Sequence, residues 1–479
     1  MKVLFTHGYY LTLDPKQAVQ SKPYPPLGTL YGASYIREQS HEVALFDTNF
    51  ANSSKEIISK LDNFKPETLV IYDDGFNYLT KMCLTNMREE TFKLIKLAKQ
   101  RGIYVIISSS DSTDHYNDYL THGVDIVIIG EAEETLKELL NAKENEEDIT
   151  TIEGIVYLNS KGTHKTKPRK VKKELDELPF PAWDLIEIDR YQSIWKKHGY
   201  FSINIATTRG CPYKCNWCAK PIYGNRYNSH SPEYIVELIK YMKNQFEFDH
   251  IWFCDDIFGL KPNWVHNFNE LLSENGIHIP YKIQSRADLL LKEDTLSVLS
   301  DSGCKEIWIG AESGSQRILD AMDKGTKVEQ IIEATEKMKQ FNIEPCFFLQ
   351  LGYLGEQWSD IEKTIQLVKE LKPADIGISV SYPLPGTPFF DKVKSELTTK
   401  ANWTDSDELL MMYSSTYSAT LYKVLHKYIH HSFRSDQIKN QLTSSINPKL
   451  ILRYLYHSLQ SQIKKRMVNI EKRKKGHEV

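Results

Sequence analysis

"SINIATTRGCPYKCNWCA", residues 202–219, begins as a short run of alternating apolar residues and ends in three cysteines, Cys211, Cys215 and Cys218, spaced CxxxCxxC. The first part reads as a β-strand and the second as the loop that leaves it, so chemistry is placed at a strand's carboxyl end. Working outward, the same strand-like signature recurs as "HIWFCDD" (250–256), "YKIQSRA" (281–287), "EIWIGAE" (306–312), "CFFLQLG" (346–352) and "IGISVSY" (376–382). Helical patterns such as "SPEYIVELIKYMKNQ" (231–245) and "KVEQIIEATEKMKQFN" (327–342) separate them. Repeated strand–helix units predict a partial (β/α)6, TIM-like barrel whose carboxyl-end rim would carry Asp255, Asp256, Ser285, Arg286, Glu312, Ser313 and Gln350.

Upstream, "KVLFTH", "EVALFDT", "TLVIYDD", "YVIISSS" and "DIVIIGE" alternate with helical stretches such as "EETFKLIKLAKQRG". That alternation predicts a doubly wound parallel sheet, an α/β class with ligands at the strands' carboxyl ends. Residues 152–170 read as a hairpin turning at Lys161-Gly162, and "ELDELPFPAWDLI" (174–186) as a proline-punctuated linker. The expected division is 1–145 for the Rossmann-like domain and 146–196 for hairpin and linker, then 197–400 for the barrel and 401–479 for a helical carboxyl-terminal region.

Composition removes several function classes. In a chain of 479 residues, 60 Lys and Arg stand against 63 Asp and Glu, a net charge of -3 that argues against nucleic-acid binding. No apolar run approaches the roughly 20 residues needed to span a bilayer, and "MKVLFTHGYY" lacks a signal-peptide core, so a cytoplasmic, soluble protein is expected. Seven cysteines are an odd, uneven set and a poor disulfide framework. In a reducing compartment the close trio therefore reads as metal ligation. Three thiolates leave one coordination position open, which in an iron–sulfur cubane exposes one iron to a small molecule. A structural zinc site would want a fourth ligand, for which His230 is the nearest histidine. Cys254, Cys304 and Cys346 read as buried small hydrophobes.

"TTRGCPYKCNWCA" (207–219), with the aromatic Trp217 ahead of the third cysteine, resembles the radical S-adenosylmethionine (radical SAM) enzymes. The resemblance implies a [4Fe-4S] cluster on Cys211, Cys215 and Cys218, with S-adenosylmethionine chelating the open iron and yielding a 5'-deoxyadenosyl radical on reduction. It also implies an external electron donor of flavodoxin or ferredoxin type. On the same grounds Glu312 corresponds to the acidic residue that binds the ribose. Ser285 and Arg286 are placed on the methionine carboxylate, and Asp255 stands where many relatives hold the amino group. Trp217 and Gln350 complete the expected S-adenosylmethionine site. The bland readings are a strand-end salt bridge for Glu312, a structural ion pair for Arg286, loop packing for Trp217 and a polar strand cap for Gln350.

"YPPLGTLYGASYIREQSHEVALFD" (24–47), "HGVDIVIIGEAEETLKELL" (122–140) and "LDELPFPAWDLI" (175–186) are similar to the cobalamin-binding half of cobalamin-dependent radical SAM enzymes. The relatives implied are the anaerobic magnesium-protoporphyrin monomethyl ester cyclase group and its methyltransferase cousins. The DxHxxG signature that supplies the cobalt-ligating histidine is missing; His7 opens the corresponding loop. The resemblance implies cobalamin contacts from His7, from Asp73 and Asp74 in "VIYDDGFN", from Ser108, Ser109 and Ser110 in "ISSSDST", and from Gly130 and Glu131 in "IIGEAEE". Each is also an ordinary way to end a buried strand.

The expected activity is hydrogen abstraction from an unactivated carbon followed by methyl transfer from methylcobalamin, on a small-molecule or lipid-like substrate. Oxidative cyclisation is the alternative within the family, and a non-catalytic cobalamin or cluster sensor the alternative outside it. No residue has a firm catalytic role, although Asp256, Tyr382 and the surroundings of Tyr223 offer proton acceptors. "SYPLPGTPFF" (381–390) reads as a loop folding over the barrel mouth. Leu452, Leu455, Leu459, Ile463 and Met467 form one helical stripe ahead of the basic tail "EKRKKGHEV" (471–479). Such a helix either packs on the barrel or rests peripherally on a membrane.

Overall fold

The structure is a computed structural model and describes residues 1–397, 400–443 and 447–474, so the last five residues of the basic tail, 475–479, lie outside the described residues. The chain divides into two compact units. The first comprises Met1–Pro212, Ala219–Ile283 and Asn402–Glu408, the second Tyr213–Cys218, Gln284–Ala401 and the chain from Leu409 onward.

Seven strands build the first sheet: β1 (Lys2–Thr6), β2 (Glu42–Phe46), β3 (Thr68–Tyr72), β4 (Tyr104–Ser108), β5 (Ile126–Ile128), β6 (Ile155–Asn159) and β7 (Gly162–Lys165), in the order β2-β1-β3-β4-β5-β6-β7. The first five pair in parallel, with Val3 opposite both Val43 and Thr68, and Ile106 opposite both Val70 and Ile126. Their apolar residues face helices on the sheet: Leu4, Leu69, Ile71, Val105 and Ile107 pack with Ile57, Leu61, Leu94 and Ile95 in one cluster. Continuous apolar runs are what a sheet buried on both faces requires. The chain reverses direction across β1 and β3, the switch point at which such sheets bind ligands.

The hairpin expected at 152–170 is present, with its turn over Ser160 and Lys161, but it is not a free-standing connector. β6 pairs antiparallel with β5, Ile128 opposite Ile155, and extends the first sheet by two strands. Periodicity marked the strands; only the pairing partner was hidden.

The second sheet comprises β8 (Ser202–Ile205), β11 (His250–Phe253), β12 (Tyr281–Ser285), β13 (Cys304–Glu312), β14 (Glu344–Leu351) and β15 (Asp375–Val380). Its order is β15-β14-β13-β12-β11-β8, chain order throughout, which makes it a curled parallel half-barrel rather than a closed one. Between β8 and β11 lies a small antiparallel ribbon of β9 (Thr208–Arg209) and β10 (Asn228–Ser229). The helix Pro232–Gln245 that follows is started by Pro232 and by Ser231, whose hydroxyl accepts from the Tyr234 amide.

Two long helices, Ala419–Leu442 and Pro448–Lys474, close the chain, packed on each other with His431 Nδ1 and His457 Nδ1 3.0 Å apart. The apolar stripe of the second does not pack inward. Leu452, Leu455 and Leu459 are 68%, 56% and 57% exposed, whereas Val468, on the opposite side, is buried. No helix among the described residues is long and apolar enough to cross a membrane.

Candidate functional site

The cysteine loop springs from the β9–β10 ribbon, which pairs Thr208 with Ser229 and Arg209 with Asn228 and so anchors both ends of the excursion. Gly210, at φ +80°, starts it; a Cβ there would lie 2.5 Å from the Arg226 carbonyl oxygen, so only glycine fits. Cys211 is buried, Cys215 and Cys218 are half-buried, and none of the seven cysteines is in a disulfide. Among the described residues no three His, Cys, Asp or Glu side chains are gathered as a metal site. Thiolates repel one another and converge around the ion that they ligate, so donor chemistry is the relevant test. Three disulfide-free soft sulfur donors on one short loop fit an iron–sulfur cluster with one iron left open.

In the second unit the loop residues Tyr213–Cys218 are fixed chiefly by Asn216. This side chain, 2% exposed, donates from Nδ2 to the Ala321 carbonyl at 2.8 Å and to Asp323 Oδ2 at 2.9 Å, and accepts from the Tyr353 hydroxyl at 2.6 Å. Its backbone joins in: the Asn216 amide donates to the Met322 carbonyl at 3.0 Å, and the Phe389 amide donates to the Asn216 carbonyl at 2.9 Å. The expected loop after the sixth strand therefore reaches the cysteine loop through Phe389. Sequence reading passed over Asn216, because an asparagine between two cysteines carries no pattern of its own.

Glu312 sits at the end of β13 in a left-handed conformation, φ +54°, where the register against β14 shifts between Gly310 and Glu312. A bulge with a non-glycine residue at positive φ re-aims a side chain at some cost in strain. Here it turns Glu312 onto Lys324, Nζ to Oε1 2.8 Å, and both are buried. Burial opposes the lysine's charge, but Glu312 and then Cys215 outweigh it and raise its pKa. Gly310 makes room, since a Cβ there would come 2.4 Å from Lys324 Nζ. The same ammonium lies 5.9 Å from the Trp217 ring centroid.

Arg286 spends its donors within the fold. Nε and Nη2 form a fork on Asp288 at 2.9 and 3.2 Å, Nη1 donates to the Lys324 carbonyl at 2.8 Å, and the guanidinium lies 3.8 Å over the Tyr213 ring. Its arrangement braces the cysteine loop's first turn. Gln350 donates to Ser381 Oγ at 2.8 Å, and Ser285 is buried at the end of β12. Trp217 Nε1 is buried without a hydrogen-bond partner among the described residues, which is uncommon for a buried donor.

In the first unit Asp255 caps the strand end. Its Oδ1 accepts from the Thr207 amide at 2.8 Å and from the Thr208 amide and hydroxyl, both at 2.6 Å, which fixes the chain entering the ribbon. Oδ2 is buried without a partner, and burial raises the carboxyl pKa to about 7. Asp256 instead pairs with Lys81 at 2.8 Å. His230 is buried against Asp176 Oδ1 at 3.1 Å and stacks 4.0 Å from Tyr234, so its ring belongs to the scaffold. Arg209 is buried between Glu131 at 3.2 Å and Glu133 at 2.6 Å; burial disfavours its charge, and Glu133 more than restores it. The tyrosines around it include Tyr223, 5.3 Å away.

The rim of the first sheet is largely self-satisfied. His7 is 2% exposed and lies 2.9 Å from Asp47 Oδ1 by Nε2 and 2.9 Å from the Thr48 hydroxyl by Nδ1. Asp73 accepts from the Gly8 amide at 2.5 Å, and Asp74 from the Gly28 and Phe76 amides at 3.1 Å each. Ser108 closes β4; Ser109 caps the next helix through Ser112, while Ser110 Oγ is buried without a partner. Gly130 takes φ +87°, and Glu131 also accepts from the Lys172 amide at 2.5 Å. Gly8, Asp73, Arg88, Asp111 and Tyr119 line a small cleft at this rim. His7 offers no free nitrogen to a metal there, since both of its ring nitrogens are engaged.

Residues 205–368 match the model of the radical SAM superfamily. An uncharacterized methyltransferase of Pyrococcus horikoshii is 26% identical over 388 residues, 79% of this chain and 81% of its own. The hopanoid C-3 methylase of Methylococcus capsulatus is 25% identical over 384 residues, covering 78% of this chain and 70% of its own. The anaerobic magnesium-protoporphyrin IX monomethyl ester cyclase of Synechocystis is 23% identical over 331 residues, 68% of this chain and 64% of the cyclase. Among solved structures, the cobalamin-dependent radical enzyme OxsB with aqua-cobalamin bound superposes with a TM-score of 0.75 at 18% identity, over 98% of this chain and 72% of OxsB. The methyltransferase TsrM from Kitasatospora setae superposes with a TM-score of 0.68 at 16% identity, over 81% of this chain and 74% of TsrM.

Proposed function

We propose, from the premise that this chain is a radical SAM enzyme, that it methylates an unactivated carbon of a small-molecule or lipid-like substrate with the help of cobalamin. The observation that carries the reading is the CxxxCxxC loop at the carboxyl end of the first half-barrel strand, pinned in place by Asn216. Methyltransferase relatives support methyl transfer, and the likeness of nearly the whole chain to OxsB supports a cobalamin-type first domain. When bound, the [4Fe-4S] cluster with S-adenosylmethionine supplies the hydrogen-abstracting 5'-deoxyadenosyl radical, and cobalamin the methyl group.

The chain's own contribution is ligation, orientation and exclusion of water. Cys211, Cys215 and Cys218 would ligate the cluster. Trp217 Nε1 in the second unit and Asp255 Oδ2 in the first, each buried without a partner among the described residues, are polar atoms that a ligand would engage. Glu312 reaches a ribose from its bulge, with Lys324 fixing its carboxylate, whereas Arg286, Ser285 and Gln350 act from behind as positioning residues. On the first sheet Ser110 Oγ, Asp73, Asp74 and Gly130 are the rim groups that would hold cobalamin, and His7 would not ligate its metal, because it serves Asp47 and Thr48. Electrons come from a flavodoxin- or ferredoxin-type donor, and the enzyme works in the cytoplasm, where its thiols stay reduced.

Anaerobic reconstitution with iron and sulfide, followed by dithionite and S-adenosylmethionine, should release 5'-deoxyadenosine; a cluster-loaded protein that releases none is a sensor and ends the reading. Cys215→Ala should lose the cluster. A product one methyl heavier identifies the transferase. A product two hydrogens lighter identifies oxidative cyclisation, the second reading, which the likeness to the cyclase favours.

A further inference from the structure

The helix Pro448–Lys474 is amphipathic in the reverse sense from a helix that serves a core. At about 100° per residue, Leu452, Leu455, Tyr456, Leu459, Ile463 and Ile470 all fall within about 60° of one line. Every one of the six is at least 40% exposed. The inward side is fixed independently, by His457 against His431, by the buried Val468 and by Lys472, whose Nζ lies 4.2 Å over the Trp358 ring. Apolar residues thus point out of the protein while a histidine and a lysine point in. A continuous exposed apolar patch of this kind marks an interaction surface.

Charge says what covers it. Within the helix Lys449, Arg453, Lys464, Lys465, Arg466, Lys472 and Arg473 outnumber the acidic Glu471, in a chain whose net charge is -3. Arg466 and Arg473 lie along one border of the stripe beside Leu455, and Arg453 lies beyond the other. A second copy of the chain seated on this face would bring two sets of cations together. An anionic lipid surface presents the complementary sign, and a rod of 27 residues, about 40 Å long, is a fitting in-plane anchor.

We infer that this helix docks the enzyme on an anionic membrane surface, its apolar stripe entering the interface and its flanking cations meeting the headgroups. The inference does not depend on the reaction proposed above. It is tested with the full chain and lipid vesicles in flotation, phosphatidylcholine alone against a mixture about one-third phosphatidylglycerol. Binding to the anionic vesicles, weakening as salt rises, is expected. Leu455→Ser with Leu459→Ser should abolish it, and Leu452→Ser with Ile470→Ser should do so separately; as all four side chains are exposed, the melting temperature should hold. Arg466→Gln with Arg473→Gln should weaken binding to anionic vesicles about thirtyfold, through the loss of two surface cations beside the stripe. Wild-type protein that ignores anionic vesicles overturns the inference, as does binding indifferent to both serine pairs. A dimer that the serine pairs dissociate, without vesicle binding, identifies the stripe as a self-interface and overturns it equally.

Discussion

Replacing Asn216 with alanine is the sharpest test of how the cysteine loop is held. The substitution deletes three side-chain hydrogen bonds at a site 2% exposed: to the Ala321 carbonyl, to the Asp323 carboxylate and from the Tyr353 hydroxyl. Tyr353 keeps a partner in the Ala321 carbonyl at 3.1 Å, so its hydroxyl is not stranded. Two neutral bonds at about 1 kcal/mol each and one to a charged group at about 1.5–3 kcal/mol give a loss of about 3–5 kcal/mol. At roughly 2–4 °C per kcal/mol the melting temperature of anaerobic protein should fall by about 6–20 °C. Because the loss falls between Cys215 and Cys218, the iron bound after reconstitution should fall too, and the electron paramagnetic resonance signal of the reduced cluster should broaden. A variant melting within about 2 °C of wild type, with full iron and an unchanged spectrum, would refute the reasoning that Asn216 fixes the loop.

Two further outcomes follow from buried charge. Burial raises the Asp255 carboxyl to about 7, so from about pH 4 to 7 the folded chain keeps a proton that the unfolded chain has released, and stability falls as pH rises through that window. Asp255→Asn preserves the acceptor facing Thr207 and Thr208; in urea titrations it should gain on wild type with rising pH, by at most about 1.4 kcal/mol per unit, and a constant gap would count against the assignment. Arg209→Met leaves Glu131 and Glu133 buried without their cation and should cost about 3–5 kcal/mol, read as a lower urea midpoint, whereas a neutral result would mean that the carboxylates find other partners.

Both sheets were legible because their strands are short apolar runs whose carboxyl ends carry polar punctuation, and "TTRGCPYKCNWCA" marked the cysteine loop by spacing alone. What stayed hidden depends on contacts far apart in sequence. That β6 would join β5 follows from a vacant sheet edge, not from the hairpin's own residues. Arg286 reads as a ligand group or as a structural ion pair, and Asp255 as a ligand group; the partners that also give them scaffold roles, Asp288, Lys324, Thr207 and Thr208, lie outside any local pattern. Lys324 lies in "MDKGTK", a stretch that looks like an ordinary polar turn, and nothing in it announces a buried pairing with Glu312 twelve residues earlier. The carboxyl-terminal stripe was visible as a pattern, but a pattern does not say which side faces the protein.

The hairpin that extends the first sheet also protects it. β5 is a run of Ile126, Val127 and Ile128, all buried, and its outer amides and carbonyls are taken by β6. The sheet then ends on β7, whose Thr163, His164 and Lys165 are exposed and polar. Excising this domain at residue 145 would bare a greasy, hydrogen-bond-hungry border, the kind that recruits neighbouring chains into insoluble ribbons. A soluble stand-alone version of the amino-terminal half therefore has to carry its fringe as far as Lys165.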